Sequence, residues 1–238
     1  MSNLIIDEGN TLCKMAVVRD GVILAQKSDR DIDDAALLDF AGQYGICGII
    51  SSSTRRERVE LPAALQSISH THLSAETKLP IHIIYSTPHT LGLDRVAAAV
   101  GASVLFPQSD VLIIDLGTAI TIDFLSCKGE FLGGVISPGA EMRAKALNTF
   151  TGRLPLVEVP ANADLLGQST TEALQFGILN GIRFEIDGYI NAYRAQSQDV
   201  KVVITGGAAG LVNRADVVSE PNLVIIGMNR ILEFSTEK

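Results

Sequence analysis

The 238 residues carry 27 acidic against 19 basic side chains, a formal charge of -8, with 47% hydrophobic residues and no tryptophan. That balance argues against a nucleic-acid surface, which clusters Lys and Arg, and no apolar run reaches the roughly 18 residues a membrane helix needs. Cys13, Cys47 and Cys127 are widely spaced and odd in number, which fits neither a zinc site nor a disulfide framework and suits a reducing cytoplasm.

In chain order, "NLIID" at 3–7 reads as a buried strand that meets a carboxylate at Asp7, and this speaks against a secretory leader. Residues 14–28, "KMAVVRDGVILAQKS", read as a hairpin turning at Asp20-Gly21. Helical spacing follows over 33–44, then the short apolar strand "GICGIISS" at 45–52. "TRRER" at 54–58 is basic but interleaved with Glu57, and reads as a solvated face. A helix is expected over 61–68, a strand at "PIHIIY", and an alanine-rich helix over 94–104 that starts near Asp94. His70 and His72 form an H-x-H pair without a third ligand nearby, and read as a surface loop.

The second half restarts. "VLIIDLGTAITIDFLS" at 111–126 is strand, tight turn and strand, and "KGEFLGGVIS" turns at Gly129. Helices are expected at 139–149 and 170–195, then the strand "VKVVITGG" and a closing helix at 227–234. Each half opens on a hairpin-like sheet and ends in helix–strand alternation. With a boundary near Pro107–Asp110, this gives two α/β domains, 1–109 and 110–238.

One device occurs twice. "LIIDEGNT" at 4–11 and "LIIDLGTAITID" at 112–123 both run from apolar strand to aspartate, one variable residue, glycine and a polar residue. A glycine there lets backbone approach a ligand. Turn amides can face phosphate oxygens, and the carboxylate can hold a cation that neutralises them. Asp7, Gly9, Asn10 and Thr11 supply one set, with Lys14 as a point charge; Asp115, Gly117 and Thr118 supply the other. A single copy would read as an aspartate capping a turn. The repetition favours carboxylates that await a partner, with a nucleotide clamped between opposed halves. The glycines of "VVITGGAAG" at 202–210 could lie under a base or ribose. Cys13 lacks a paired base and reads as a small strand residue.

"DEGNT", "DLGTAITID" and a late "TGG" together resemble the acetate and sugar kinase, Hsp70 and actin superfamily. "YSTPHTLGLDR" at 85–95, "GGVISPG" at 133–139, "TGRLP" at 151–155 and "GQSTTEALQFG" at 167–177 resemble type III pantothenate kinase, in the expected order over nearly the whole chain. The resemblance implies two ribonuclease-H-like domains of duplicated topology, facing each other across a nucleotide cleft. It implies phosphorylation of pantothenate by ATP with Mg2+, the first step of coenzyme A synthesis, in a cytoplasmic homodimer without nucleic-acid or membrane partners.

By the same resemblance, Asp7, Glu8, Gly9, Asn10, Thr11, Leu12, Cys13 and Lys14 form the first phosphate-binding turn, and Thr118 touches ATP. Asp94 is the base that accepts the pantothenate hydroxyl proton. Tyr85, Gly92, Leu93, Asp94 and Arg95 line the pantothenate site, and Thr170 reaches it from a second subunit. Asp115 holds a monovalent cation, potassium or ammonium. Asp123 either contributes to that region or ends its strand. Glu8 stands where the family usually has an apolar residue, Ala208 where an acid is frequent, and Gly152 where alanine is usual. Two rivals remain: a non-catalytic relative of the Bvg accessory factor group, and a superfamily kinase or phosphatase for another small substrate.

Overall fold

The computed structural model of the chain describes residues 2–197 and 199–237. They form two compact units. The first holds the described residues up to Pro107 together with Gly129–Phe131 and the chain from Asn222 onward; the second holds Gln108–Lys128 and Leu132–Pro221.

The sheet of the first unit is built from β1 (Ser2–Glu8), β2 (Cys13–Arg19), β3 (Val22–Asp29), β4 (Ile46–Ser53) and β5 (Ser69–His72), in the order β3-β2-β1-β4-β5. The first three strands are antiparallel neighbours, whereas β4 runs parallel to β1 and β5 parallel to β4. The β2–β3 turn places Asp20 at φ 52° and Gly21 at φ 76°, the left-handed pair that a two-residue hairpin requires. Leu4, Ile6, Met15, Val17 and Ile49 pack with Leu37 and Ala41 of α1 (Asp34–Gly42). Asp33 caps that helix by accepting the Ala36 N–H at 2.7 Å.

Two more helices, α2 (Leu93–Leu105) and α5 (Leu223–Thr236), pack closely on each other, and α5 also packs on β1 and β4. Glycine permits the approach. A Cβ on Gly101 would lie 3.1 Å from the Leu223 carbonyl carbon, and one on Gly227 would lie 2.7 Å from that of Ala97. The short β6 (His82–Ile83) pairs with Glu130 and Phe131, the first residues of β9 (Glu130–Pro138).

In the second unit β7 (Val111–Leu116) is central, flanked by β8 (Ala119–Leu125) and then β9 on one side. On the other side stand β10 (Lys201–Thr205) and β11 (Val218–Ser219). Its core joins Leu112, Ile114 and Ile122 to Ile178, Ile182 and Ile186 of α4 (Thr170–Gln196) and to Ala144 of α3 (Ala140–Phe150). The i, i+4 spacing of the α4 isoleucines makes the buried stripe. Read from the hairpin edge, the order β9-β8-β7-β10-β11 repeats β3-β2-β1-β4-β5, with the same parallel crossing from β7 to β10 as from β1 to β4. The expected two-sheet α/β fold with a duplicated strand order is present.

Local expectations differ in four places. Residues 61–68 give only a 3-10 turn, Ala63–Leu65, after Pro62, whose ring fixes φ and supplies no donor. "PIHIIY" forms a strand of two residues, because only Glu130 and Phe131 lie alongside. His70 and His72 sit on strand β5, not in a loop, and both rings bond Ser51 Oγ, at 2.8 and 3.0 Å. The closing helix begins at Leu223, with Gly227 inside it as a contact residue.

Candidate active site

In the first unit, β1 delivers Asp7 at its second-last position, paired with Lys14 across β2 and with Ser52 along β4. Opposed residues of an antiparallel pair share a face, so Lys14 stands beside the carboxylate. Asp7 is half-buried. Burial pushes its pKa up to about 6, Lys14 pulls it down, and the Asp94 carboxylate pushes it up. Asp7, Lys14 and Asp94 therefore occupy one electrostatic neighbourhood.

The chain then turns through Gly9, Asn10, Thr11 and Leu12, closed by Gly9 N–H donating to the Leu12 carbonyl at 3.0 Å. Asn10, Thr11 and Leu12 are exposed, and Cys13 is buried at the start of β2. Burial, then Glu8 and Asp7, push the Cys13 thiol up to about 11, so it stays protonated and non-nucleophilic. The Glu8 carboxylate turns to the β4 side: it accepts from Ser53 Oγ at 2.6 Å and from Arg56 Nε at 2.8 Å, with a second bond from the Arg56 guanidinium. The Arg56 hydrogen bond holds its pKa below the ordinary value.

Asp94 enters from α2. Gly92, the N-cap, has no side chain to cap the helix, and Asp94 in the first turn takes that place, accepting the Arg95 N–H at 2.8 Å. The helix dipole favours the carboxylate there. Arg95 is 6% exposed, with its guanidinium carbon 5.8 Å from the centroid of Tyr85 and 5.7 Å from that of Phe131. The two rings are tilted at 59°, forming an aromatic seat that fixes the cation. The structure thus brings Tyr85, Gly92, Leu93, Asp94 and Arg95 to one end of α2.

In the second unit, Asp115 is the second-last residue of β7, paired with Thr121 of β8 and Thr205 of β10. Gly117 N–H closes the following turn on the Ala119 carbonyl at 3.1 Å, and Thr118 accepts from Gly139 N–H at 3.1 Å. Gly206, at φ 91°, presses on this turn: a Cβ there would strike the Asp115 carboxylate and lie 2.6 Å from Leu116 backbone. Only glycine combines that dihedral with that proximity. Asp123 is 1% exposed beneath Gly134. Thr170 is exposed in the first turn of α4, after the cap in which Ser169 Oγ accepts the Glu172 N–H at 3.2 Å.

Among the described residues no group of three His, Cys, Asp or Glu is placed to hold a metal ion, and no helix is long and apolar enough to cross a membrane. The two acids instead offer single carboxylates, which suits ions that a ligand's own oxygens also hold. Sequence reasoning missed Phe131, whose place is set by pairing with β6, and the roles of Arg55 and Arg56. The one available signal was Glu8, an acid at a buried strand position.

Two sheets of one strand order, each ending its central strand in an acid and a glycine turn, define the fold class of the acetate and sugar kinases, Hsp70 and actin. Solved structures share it. A candidate Baf-family transcriptional activator from Campylobacter jejuni superposes with a TM-score of 0.58 at 24% identity, covering 97% of this chain and 98% of that one. The activator of 2-hydroxyisocaproyl-CoA dehydratase from Clostridium difficile, with bound ADPNP, gives 0.58 at 13% identity, covering 99% and 94%. These likenesses establish the fold. The chain belongs to the type III pantothenate kinase family: that family's model matches residues 3–192. The type III pantothenate kinase of Cytophaga hutchinsonii is 42% identical over 239 residues, 98% of this chain and 99% of the relative.

Proposed function

We propose that the chain transfers the γ-phosphoryl group of ATP to pantothenate, giving 4'-phosphopantothenate, the first step of coenzyme A biosynthesis. The observation that carries this reading is Asp94 at the start of α2, within electrostatic reach of Asp7 and next to Arg95 on its aromatic seat. Phosphoryl transfer passes through a loose transition state, so positioning and charge neutralisation dominate and a weak carboxylate base suffices. Asp94 accepts the proton of the substrate hydroxyl. Arg95 grips the pantothenate carboxylate with its fork of donors, held in place by Tyr85 and Phe131. Gly92 and Leu93 shape the approach.

The Gly9–Leu12 turn and Lys14 hold ATP phosphates, and Thr118 contacts the nucleotide. The half-buried Asp7 carboxylate, whose ionised form burial disfavours, suits a Mg2+ ion carried by those phosphates. When bound, that ion neutralises developing charge. Asp115, next to Gly206 and Thr118, suits a monovalent cation, potassium or ammonium. The protein works in the cytoplasm as a homodimer, with Thr170 lent to the partner's substrate site. Exposed Phe150, Leu165, Leu166 and Phe184, at 85, 79, 83 and 62% relative exposure, support an interface on the second unit.

Purified protein incubated with Mg-ATP, pantothenate and potassium should yield phosphopantothenate. Asp94→Asn should lower kcat by about a hundredfold or more while both KM values move little. Protein that binds nucleotide but forms no product, or an Asn variant that turns over normally, overturns this reading.

A further inference from the structure

The basic stretch after β4 does not lie idle in solvent. Thr54 N–H donates to the Glu8 carbonyl at 2.9 Å. Arg55 Nε donates to the Gly9 carbonyl at 2.8 Å, and its Nη2 reaches the Asn10 carbonyl at 3.4 Å. Three consecutive carbonyls of the first turn are thus held from one side. On its other side the Arg55 guanidinium is fixed by the Arg30 carbonyl at 2.9 Å and by Asp31 at 2.8 Å. The Arg55 backbone N–H donates to Ser53 Oγ at 3.0 Å, and that hydroxyl donates to the Glu8 carboxylate.

A trans peptide points its C=O and its N–H in opposite directions, and the chain has no cis bond among the described residues. Holding the Gly9 and Asn10 carbonyls toward Arg55 therefore turns the Asn10 and Thr11 amides to the opposite side. That is the face an anion must find for backbone donors to converge on it. We infer that Arg55 is a positioning residue: it sets the direction of the turn's amides without touching the phosphates. Asp31 keeps its charge on the far side, so the guanidinium does not itself become the anion's partner. Glu8 extends the same brace through Ser53 and Arg56. The inference rests on the proposed reading of this turn as the ATP phosphate site.

The test uses the full-length enzyme with Arg55→Ala, Arg55→Lys and, as an independent probe of the turn, Lys14→Met. Arg55→Ala should raise the ATP KM about tenfold, the effect of one lost charge-assisted hydrogen bond, with kcat and the pantothenate KM within about twofold. Arg55→Lys should recover only part of the loss, because the three donors of one ammonium cannot hold three carbonyls and Asp31 together as the guanidinium does. ADP affinity, measured by calorimetry, should fall in step with the ATP effect. If Lys14→Met weakens ATP and Arg55→Ala does not, the positioning role fails while the phosphate turn stands. If neither moves ATP, the turn reading itself fails. Equal losses for both substrates, tracking a lower unfolding temperature, would make Arg55 a purely structural brace and overturn the inference.

Discussion

Asp7→Asn should make the ligand-free protein more stable above pH 6 while destroying its catalysis. The folded state raises the Asp7 pKa from 3.8 to about 6, mainly because burial penalises the charged form. A shift of that size corresponds to about 3 kcal/mol, an upper bound given the half-buried position. The sign follows from proton binding. Below pH 3.8 the group is protonated in both states and contributes no penalty. Between 3.8 and 6 the folded state binds more protons, so stability falls as pH rises. Above 6 the full cost of the buried charge is present. The neutral isostere removes that cost. Urea unfolding of wild type and Asp7→Asn without nucleotide, at pH 8 and again near pH 4, reads the difference directly. The variant should be stabler at pH 8, by up to about 3 kcal/mol, with the gap closing toward pH 4. A variant less stable than wild type at pH 8, or a gap independent of pH, would refute the account of Asp7 as a carboxylate kept at a stability cost for a ligand.

Three other perturbations probe the remaining parts. Arg95→Lys should raise the pantothenate KM tenfold or more, leaving the ATP KM nearly unchanged, since a lysine neither forks nor stacks as arginine does; steady-state kinetics with each substrate varied will show it. Gly206→Ala combines a left-handed dihedral with a Cβ pressed on Leu116 and Asp115, and should cost about 1–3 kcal/mol in thermal unfolding together with a weaker response of activity to potassium. Gly227→Ala drives a methyl into the Ala97 backbone across the α2–α5 contact; a destabilisation of about 1–3 kcal/mol is expected, with a fall in kcat because α2 carries Asp94.

The elements that frame the site were legible because their signals are local. An apolar run broken by aspartate and glycine marks β1 and β7, and Asp20-Gly21 marks the first hairpin. What escaped depends on register between distant segments. Glu8 meets Ser53 only because β1 and β4 pair in parallel, and that pairing carries the arginines of the following loop to the turn. Ser51 meets His72 through the β4–β5 register, and that pairing makes both histidines strand residues rather than loop residues; their burial pushes both pKa values down. Phe131 reaches Arg95 through a two-residue pairing with β6 that no periodicity announces. The closing helix, expected from residue 227, starts at Leu223 instead, and no side-chain cap at Asn222 marks that start.

The duplicated sheets also put two aspartates in equivalent positions before different neighbours, which bears on the different ions proposed for them. Each is the second-last residue of the central strand, with a hydroxyl residue beside it on the parallel neighbour: Ser52 for Asp7 and Thr205 for Asp115. The difference lies across the antiparallel pair. Asp7 faces Lys14, a fixed positive charge on the side where phosphates are proposed to bind, whereas Asp115 faces Thr121, a neutral hydroxyl. One frame therefore sets a cation beside its carboxylate and the other sets a hydroxyl there, and the proposed assignment of a phosphate-borne metal to Asp7 and a monovalent cation to Asp115 rests on that difference. The division needs no change of fold, because one cross-strand residue, Lys14 or Thr121, sets the charge beside each aspartate.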